Sequence, residues 1–226
     1  HAFNRSQGLD DDETLAGIAE LEARHPEETK TARGGCLHLR REDVHRAAKI
    51  DLRDFFASRH SIRQFDPRPV DPDLIEQAVR MAQKTPTVCN RQSLRVYAYH
   101  DQDDKKRTLA CQLGNRGFGH QAGAVLVVTC DVQTFYSVAE RNKGWVDGVL
   151  FSMSLFYALN SLGLGCCCIN WSVEKENDLA LRRVTCISDS EIVIMLIAVG
   201  HLPDELEVAR SERKPLEDVI VRRQTR

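Results

Sequence analysis

Hydrophobic positions along this chain follow two patterns, one with helical spacing and one of short continuous runs. Apolar residues at every third or fourth position are typical of amphipathic helices. This spacing predicts helices around residues 13–24, 41–58, 72–84, 105–113, 146–162 and 173–181. The short runs predict strands at 94–99, 122–129 and 191–199, a strand or loop at 166–171, and a strand-like piece at 219–221. The chain is therefore expected to mix helices and sheet in one core.

The helix predicted at 146–162 is the most apolar one and carries hydrophobic side chains on nearly every side. A helix of this kind lies either at the centre of a core or at an interface, and the pattern alone does not separate the two. Gly163 and Gly165 follow it and are suited to end it.

Composition narrows the class of protein. The 226 residues are 42% hydrophobic and 28% charged, with a net charge of −2, which is typical of one globular domain with or without an extension. This balance gives no support for a nucleic-acid-binding protein. The apolar runs are shorter than the roughly 20 residues that span a bilayer. No signal-peptide pattern opens the chain, so a cytoplasmic protein is expected.

Eight cysteines raise the question of disulfides or a metal site. Three of them, Cys166, Cys167 and Cys168, are consecutive in an apolar run, and no pair has CxxC spacing. A zinc site is therefore not expected. We predict that the cysteines are buried free thiols that pack as small hydrophobic side chains.

Two polar stretches carry candidate chemistry. The first, Arg59 to Arg63, holds two guanidiniums, an imidazole and a hydroxyl, a set suited to phosphate. Its alternative is a solvated basic turn after a helix. The second is the loop of residues 85–92, in which Asn90 and Gln92 provide amides. Their alternative role is to satisfy the backbone of a turn.

Four blocks, taken in order, resemble the FMN-dependent nitroreductase family. The block SRHSIRQFD is similar to the family's opening Arg-x-Ser-x-Arg/Lys signature, and TPTVCNRQ resembles its Pro-Ser-x-x-Asn-x-Gln loop. The block VDGVLFSMSLFYALNSLGLG resembles the central helix of the family. The blocks AVGHLPDE and SERKPLEDVI resemble its closing Gly-x-Pro and Arg-Lys-Pro-Leu segments. Together the blocks span roughly residues 50 to 222.

The resemblance implies an α+β fold of three layers, in which a mixed, mainly antiparallel sheet is flanked by helices. It also implies a homodimer built around the central helices, with FMN at the interface and NAD(P)H as electron donor. Residues 1–50 are then an N-terminal helical extension, and residues 51–226 are the FMN-binding domain. A charge at Leu155, in the middle of the central helix, is expected to split or unfold the dimer.

Site residues carry over by position in these blocks. Arg59, Ser61 and Arg213 correspond to contacts with the FMN phosphate and ribityl chain, and His60 contributes mainly backbone. Arg63 corresponds to the cation at the N1/O2 side of the flavin ring, where it stabilises negative charge.

The remaining carried-over positions surround the ring. Asn90 corresponds to the amide at the polar edge of the ring, and Gln92 lies close by. Three residues match the segment that packs on the flavin from the other subunit: Pro86, Thr87 and Val88. Asn170 and Trp171 fall where the family places backbone near the flavin N5. The family's Ser-Ser after Pro is Thr87-Val88 in this chain.

The function implied is an oxidoreductase that moves a hydride from NAD(P)H to FMN and then reduces a nitroaromatic, a quinone or an enone. No protein nucleophile, general acid or general base is assigned, because the flavin carries the chemistry. One alternative is a flavin-binding protein without turnover that acts in a biosynthetic pathway. Another is a cysteine-based or metal-binding protein, which only the eight cysteines suggest.

Overall fold

The computed structural model describes residue 8, residues 12–24 and residues 39–222. The chain forms two compact units, His1–Phe55 and Phe56–Arg226. The α-helices are α1 (Asp12–Arg24), α2 (Arg41–Ala47), α3 (Leu52–Ser58), α4 (Pro72–Ala82), α5 (Gln102–Ala110), α6 (Lys143–Ser161) and α7 (Lys175–Thr185). The strands are β1 (Leu94–Tyr99), β2 (Ala124–Asp131), β3 (Leu164–Asn170) and β4 (Glu191–His201).

The four strands form one sheet in the order β1-β2-β4-β3. Every neighbouring pair is antiparallel, so in the described residues the sheet has no parallel pair, whereas a mixed sheet was expected. The two central strands carry the buried runs: the β2 residues 124–128 are fully buried, and so are the β4 residues 196–199. The sheet core is therefore formed by the two most apolar strand segments of the sequence.

Helices cover both faces of this sheet. Alternate side chains of a strand point to opposite faces, and β2 shows this clearly. Leu126 and Val128 pack in a cluster with α4 and α6, whereas Val125 and Val127 pack in a second cluster with α5 and α7. The three-layer α+β architecture expected from the sequence is confirmed.

Helix α6 packs closely against β4 along a face that includes two glycines. A Cβ built on Gly148 would lie 2.5 Å from Ile194 Cδ1, and one on Gly144 would lie 3.1 Å from Ile192 Cδ1. Further along this face, Leu155 and Leu159 are fully buried in the core. Leu155 therefore faces the sheet, and of the two expected effects of a charge there, unfolding is the one that its burial supports.

The opposite face of α6 is apolar and exposed. Its side chains are 37 to 50% exposed and recur at helical spacing: Trp145, Val146, Val149, Leu150 and Met153. The helix that the sequence showed as apolar on nearly every side thus uses one side for the core. The other side is left exposed by the described part of the chain.

Two predicted elements differ from the structure. The helix predicted at 41–58 is two helices, because the Asp51 carboxylate accepts the N–H groups of Arg53 and Asp54 and so caps a new helix start. The strand-like piece at 219–221 follows a short 3-10 turn, Leu216–Asp218, and has no strand partner among the described residues. Within the described part of the chain, no helix is both long enough and apolar enough to cross a membrane.

We predict that Gly148→Ala destabilises the protein, since its methyl group would enter the space occupied by Ile194. Overpacking of this kind costs about 1–3 kcal/mol. Urea unfolding of both proteins measures the difference. The matched control is Gly17→Ala, which adds a methyl group to a helical glycine with no atom within 4 Å. A Gly148→Ala protein as stable as the parent would mean that α6 can move away from β4 freely.

Candidate functional site

The basic segment after α3 lies along the edge of the sheet formed by β3. The Ile62 N–H donates to the Cys166 carbonyl at 3.0 Å, and the Asp66 N–H donates to the His201 carbonyl at 2.9 Å. Ile62 and Phe65 are buried at 8% exposure. Both side chains fit against glycines: a Cβ on Gly165 would lie 2.9 Å from Ile62 Cγ2, and one on Gly200 would lie 2.6 Å from Phe65 Cδ1. This packing fixes the backbone from which Arg59, Ser61 and Arg63 project.

A side-chain hydrogen bond brings the C-terminal segment to the same place. The Gln64 Oε1 accepts the Glu207 N–H at 2.8 Å, and Leu206 packs against the core. Residues 208–213 consequently lie beside residues 56–63. Gln64 is not among the site residues predicted from the sequence. The only sequence feature that pointed to it is its position inside the block SRHSIRQFD.

These two segments enclose a cleft of about 690 Å³. Five of the residues predicted to bind FMN line it together: Arg59, His60, Ser61, Arg63 and Arg213. Arg210 lines it as well and was missed from the sequence. Among the described residues, no aspartate or glutamate lines it, although Arg210 pairs with Glu212 at 3.7 Å. A cleft lined mainly by guanidiniums concentrates positive potential and attracts anions.

Aromatic rings, and not carboxylates, support the two central arginines. The Arg59 guanidinium lies over the Phe156 ring at 5.4 Å, and the Arg63 guanidinium lies over the Phe118 ring at 5.9 Å. Neither arginine forms an ion pair with any residue that the structure describes. Stacking leaves the N–H donors at the edges of a guanidinium available, so both groups can still bind an anion bidentately.

The loop of residues 86–92 is held at the other end of α6. The Val88 N–H donates to the buried Asp147 carboxylate at 3.0 Å, and the Gln92 N–H donates to Thr87 Oγ1 at 3.0 Å. Cys89, Asn90 and Gln92 all have left-handed backbone, with φ of 51°, 53° and 50°. Strained backbone in non-glycine residues clusters at functional sites, which supports a role for this loop.

The two amides of this loop behave differently. The Gln92 side chain donates to the Asn90 carbonyl at 3.4 Å, which fits the alternative that it satisfies the turn. The Asn90 side chain is exposed and makes no hydrogen bond to the described residues. Of the two amides, Asn90 is therefore the one free to bind a ligand.

A single chain does not bring this loop into the arginine-lined cleft. Asp147 anchors the loop, whereas Phe156 supports Arg59, and nine positions of α6 separate them. At 1.5 Å per residue this is about 14 Å along the helix. Pro86, Thr87, Val88, Asn90 and Gln92 are absent from the cleft lining.

Asn170 and Trp171, at the end of β3, also lie outside this lining. The Asn170 carbonyl accepts from Gln112 Nε2 at 3.0 Å, and the Trp171 indole N–H donates to Asp178 Oδ1 at 2.9 Å. The Trp171 ring packs against the core. Its polar atom is therefore used to join β3 to α7.

Next to the loop, Arg91 is held by a cluster that the sequence did not reveal. Its guanidinium pairs with Glu140 at 2.8 Å and lies 5.4 Å from the rings of both Phe135 and Tyr136. The hydrogen bond between the two raises the pKa of Arg91 and lowers the pKa of Glu140. This ion pair fixes the loop to the segment that precedes α6.

The three consecutive cysteines are free thiols, and none of the described cysteines forms a disulfide. The prediction that the cysteines are buried holds for Cys111, Cys130, Cys166 and Cys167 and is wrong for Cys89, Cys168 and Cys186, which are exposed. Burial raises the pKa of Cys166 well above its usual value and also raises the pKa of Cys167, although Arg63 acts in the opposite direction. Cys168 is exposed, yet desolvation by the groups around it raises the pKa of its thiol to about 12. Since the thiolate is the reactive form of cysteine, these pKa shifts favour packing over redox chemistry. Among the described residues, no group of three or more potential metal ligands is close enough to hold an ion.

We predict that Cys168 reacts slowly with iodoacetamide at pH 8, because a thiol with a pKa of about 12 is almost fully protonated there. Its rate should rise about tenfold per pH unit as pH increases towards 12. Peptide mapping by mass spectrometry measures this rate against that of a small thiol peptide. Labelling of Cys168 as fast as the peptide at pH 8 would contradict the raised pKa and favour the alternative of a cysteine-based protein.

Comparison with known proteins places this geometry in a family. The family model described as the nitroreductase family matches residues 56–113 and 105–201. No curated protein matches the sequence significantly.

Solved structures with the same fold share little sequence with this chain. A protein from Parabacteroides distasonis, named as an NADH dehydrogenase/NAD(P)H nitroreductase, is 18% identical, with a TM-score of 0.65 over 75% of this chain and 96% of that one. A protein from Desulfovibrio desulfuricans, named as a nitroreductase in complex with FMN, is 16% identical, with a TM-score of 0.65 over 78% and 99%. A protein from Staphylococcus epidermidis, named as an NAD(P)H:FMN oxidoreductase, is 17% identical, with a TM-score of 0.66 over 75% and 94%.

These three comparisons establish the shared fold, and the family model extends over more than half of the sequence. The chain belongs to the nitroreductase family.

Proposed function

We propose that this protein is an FMN-dependent oxidoreductase that accepts a hydride from NAD(P)H and reduces a small organic acceptor. The observation that carries the proposal is the cleft whose described lining holds four arginines and no acid, in a chain of the nitroreductase family. The names of the solved relatives, which include an FMN complex and an NAD(P)H:FMN oxidoreductase, support the same activity. Nitroaromatics, quinones and enones are the acceptor classes we propose.

The residues present fit FMN. Arg59, Ser61 and Arg213 would hold its phosphate and ribityl chain, since guanidinium and hydroxyl donors line one cleft without a competing carboxylate. Arg63 would lie at the N1/O2 side of the ring, where its charge stabilises negative charge. FMN, when bound, supplies the hydride and electron transfer. The protein binds, orients and electrostatically tunes it, and no side chain needs to act as nucleophile.

A homodimer would complete this site. The apolar exposed face of α6, from Trp145 to Met153, is the surface we propose to be covered by a second copy. Antiparallel pairing of the two α6 helices would place the loop of residues 86–92 of one copy near the arginine-lined cleft of the other. That arrangement accounts for the separation of about 14 Å within one chain. It also gives Asn90 and the neighbouring Thr87 and Val88 access to a ligand.

Three further assignments remain proposals. Residues 1–50 form an N-terminal extension to a domain of residues 51–226. Asn170 and Trp171 contribute backbone near the flavin N5. The location is cytoplasmic.

We expect purified protein to bind added FMN and to show the absorbance bands of the flavin. These bands should bleach when NAD(P)H is added without oxygen. Arg59→Ala should bind FMN more weakly, because it removes a charge-assisted contact worth about 1.5–3 kcal/mol, roughly a 10- to 150-fold change in Kd. Fluorescence titration measures this Kd.

The matched control is Arg68→Ala, which removes an exposed arginine that pairs with Asp66 and does not line the cleft. It should bind FMN as the parent does. Equal weakening by both substitutions would reject the assignment of Arg59 to the phosphate. Bound flavin that does not bleach would instead support a flavin-binding protein without turnover.

We predict that Leu150→Asp converts a dimer into a folded monomer, since Leu150 is 48% exposed on the apolar face of α6. Leu155→Asp should instead unfold the protein, because Leu155 is fully buried. Light scattering gives the mass and circular dichroism gives the fold. A Leu150→Asp protein of unchanged dimeric mass would remove this face of α6 from the interface.

A further inference from the structure

A second cleft, of about 440 Å³, lies beyond the arginine-lined one. It is formed by residues 65–69, the start of α5 and the turn at 119–123, and its lining shares no residue with the first cleft. Among the described residues, its polar lining consists of imidazole, ammonium and amide side chains and contains no aspartate or glutamate: His100, Gln102, Lys105, His120 and Gln121.

Lys105 is the central charge of this cleft. It is only 8% exposed, and its Nζ donates to the carbonyls of Ala122 at 2.8 Å and Gly123 at 3.2 Å. An ammonium has three donors, so these two bonds leave one donor without a partner in the described part of the chain. Burial lowers the pKa of Lys105, in keeping with its two carbonyl partners being neutral.

The acid nearest to this charge is occupied elsewhere. Asp101 raises the pKa of Lys105 through Coulomb attraction, but this effect is smaller than that of burial. The Asp101 carboxylate accepts the N–H groups of Asp103 and Asp104 and so caps α5. Lys105 has no ion pair among the described residues. A buried charge paired only with neutral carbonyls gains from an anion.

A second group in the cleft also lacks a partner. The Nδ1 atom of His100, just after β1, is buried and makes no hydrogen bond to any described residue. A buried ring nitrogen of this kind calls for a ligand or water that binds it. His120, on the turn Gly119–Gln121, provides another imidazole in the same lining.

We propose that this cleft binds a small oxyanion, of the phosphate or carboxylate type, between the Lys105 ammonium and the His100 ring. The anion takes the unused Lys105 donor and a proton of His100 Nδ1, while His120, Gln102 and Gln121 offer further donors. The proposal does not depend on FMN, because the FMN cleft is lined by other residues.

The test is calorimetric titration of FMN-saturated protein with inorganic phosphate in a buffer of zwitterions, followed by a separate titration with acetate. Saturation with FMN is meant to keep the anion out of the arginine-lined cleft. As a second control, the titration is repeated with the Arg59→Ala protein without FMN, in which the arginine-lined cleft should bind anions more weakly. We expect one anion per chain. Tighter binding of phosphate or of acetate then identifies which oxyanion the cleft prefers.

Lys105→Met and His100→Phe should each weaken this binding about tenfold or more, since each removes one hydrogen-bonding partner of the anion. The matched control is Lys106→Met, which removes the neighbouring exposed ammonium on α5 and should leave the affinity unchanged.

Two results would overturn the proposal. The first is no anion binding at concentrations up to about 10 mM, because a dissociation constant above that value is too weak for specific recognition. The second is equal affinity for the anion in the parent and in His100→Phe. If Lys105→Met does not fold, because its two carbonyl contacts are structural, His100→Phe and His120→Gln decide. If FMN does not bind at all, phosphate binding that depends on His100 still supports this second site.

Discussion

The close contact between α6 and the sheet is the constraint on which the rest of this structure depends. Gly148 lets the helix approach Ile194, and this approach buries the whole Leu155–Leu159 side of the helix. The same helix then positions both halves of the candidate site, since Asp147 holds the loop of residues 86–92 and Phe156 supports Arg59. Its remaining face is apolar and exposed, so one helix connects core, site and the surface proposed for dimerisation.

Anion binding in this protein is proposed to depend on the charges inside individual clefts and not on the net charge of the chain. The net charge of −2 gives no hint of anion binding, yet arginines line one cleft and a lysine and two histidines line another, with no acid in the described lining of either. In the first, aromatic rings hold the guanidiniums, so their donors stay available. In the second, the Lys105 ammonium is buried against carbonyls. A buried charge without an ion pair, as at Lys105, gains more from an anion than the same charge paired at a surface does.

Much of the fold followed from the hydrophobic pattern, because period and burial are properties of neighbouring residues. The strand predicted at 94–99 matches β1, and the three other sheet strands lie within a few residues of their predictions. The pattern failed where a side chain caps a helix. The Asp51 carboxylate accepts backbone N–H groups and so divides one predicted helix into two. The pattern also could not show which side of α6 faces the sheet. Leu155 and Leu150 are the same residue type in one apolar helix, and only the packing of α6 on the sheet buries Leu155 and leaves Leu150 exposed.

The sequence by itself determined the family blocks, the basic cluster at residues 59–63 and the order of helices and strands, since all of these depend on residues close together in the chain. Tertiary structure alone decided which distant residues meet. The Gln64–Glu207 hydrogen bond joins segments more than 140 positions apart and so forms the arginine-lined cleft. Folding likewise brought His100, Lys105 and His120 around one space, because β1, α5 and the following turn converge there. Such long-range contacts arise when the helical layers pack on the sheet, and the spacing of neighbouring residues in the sequence does not predict them.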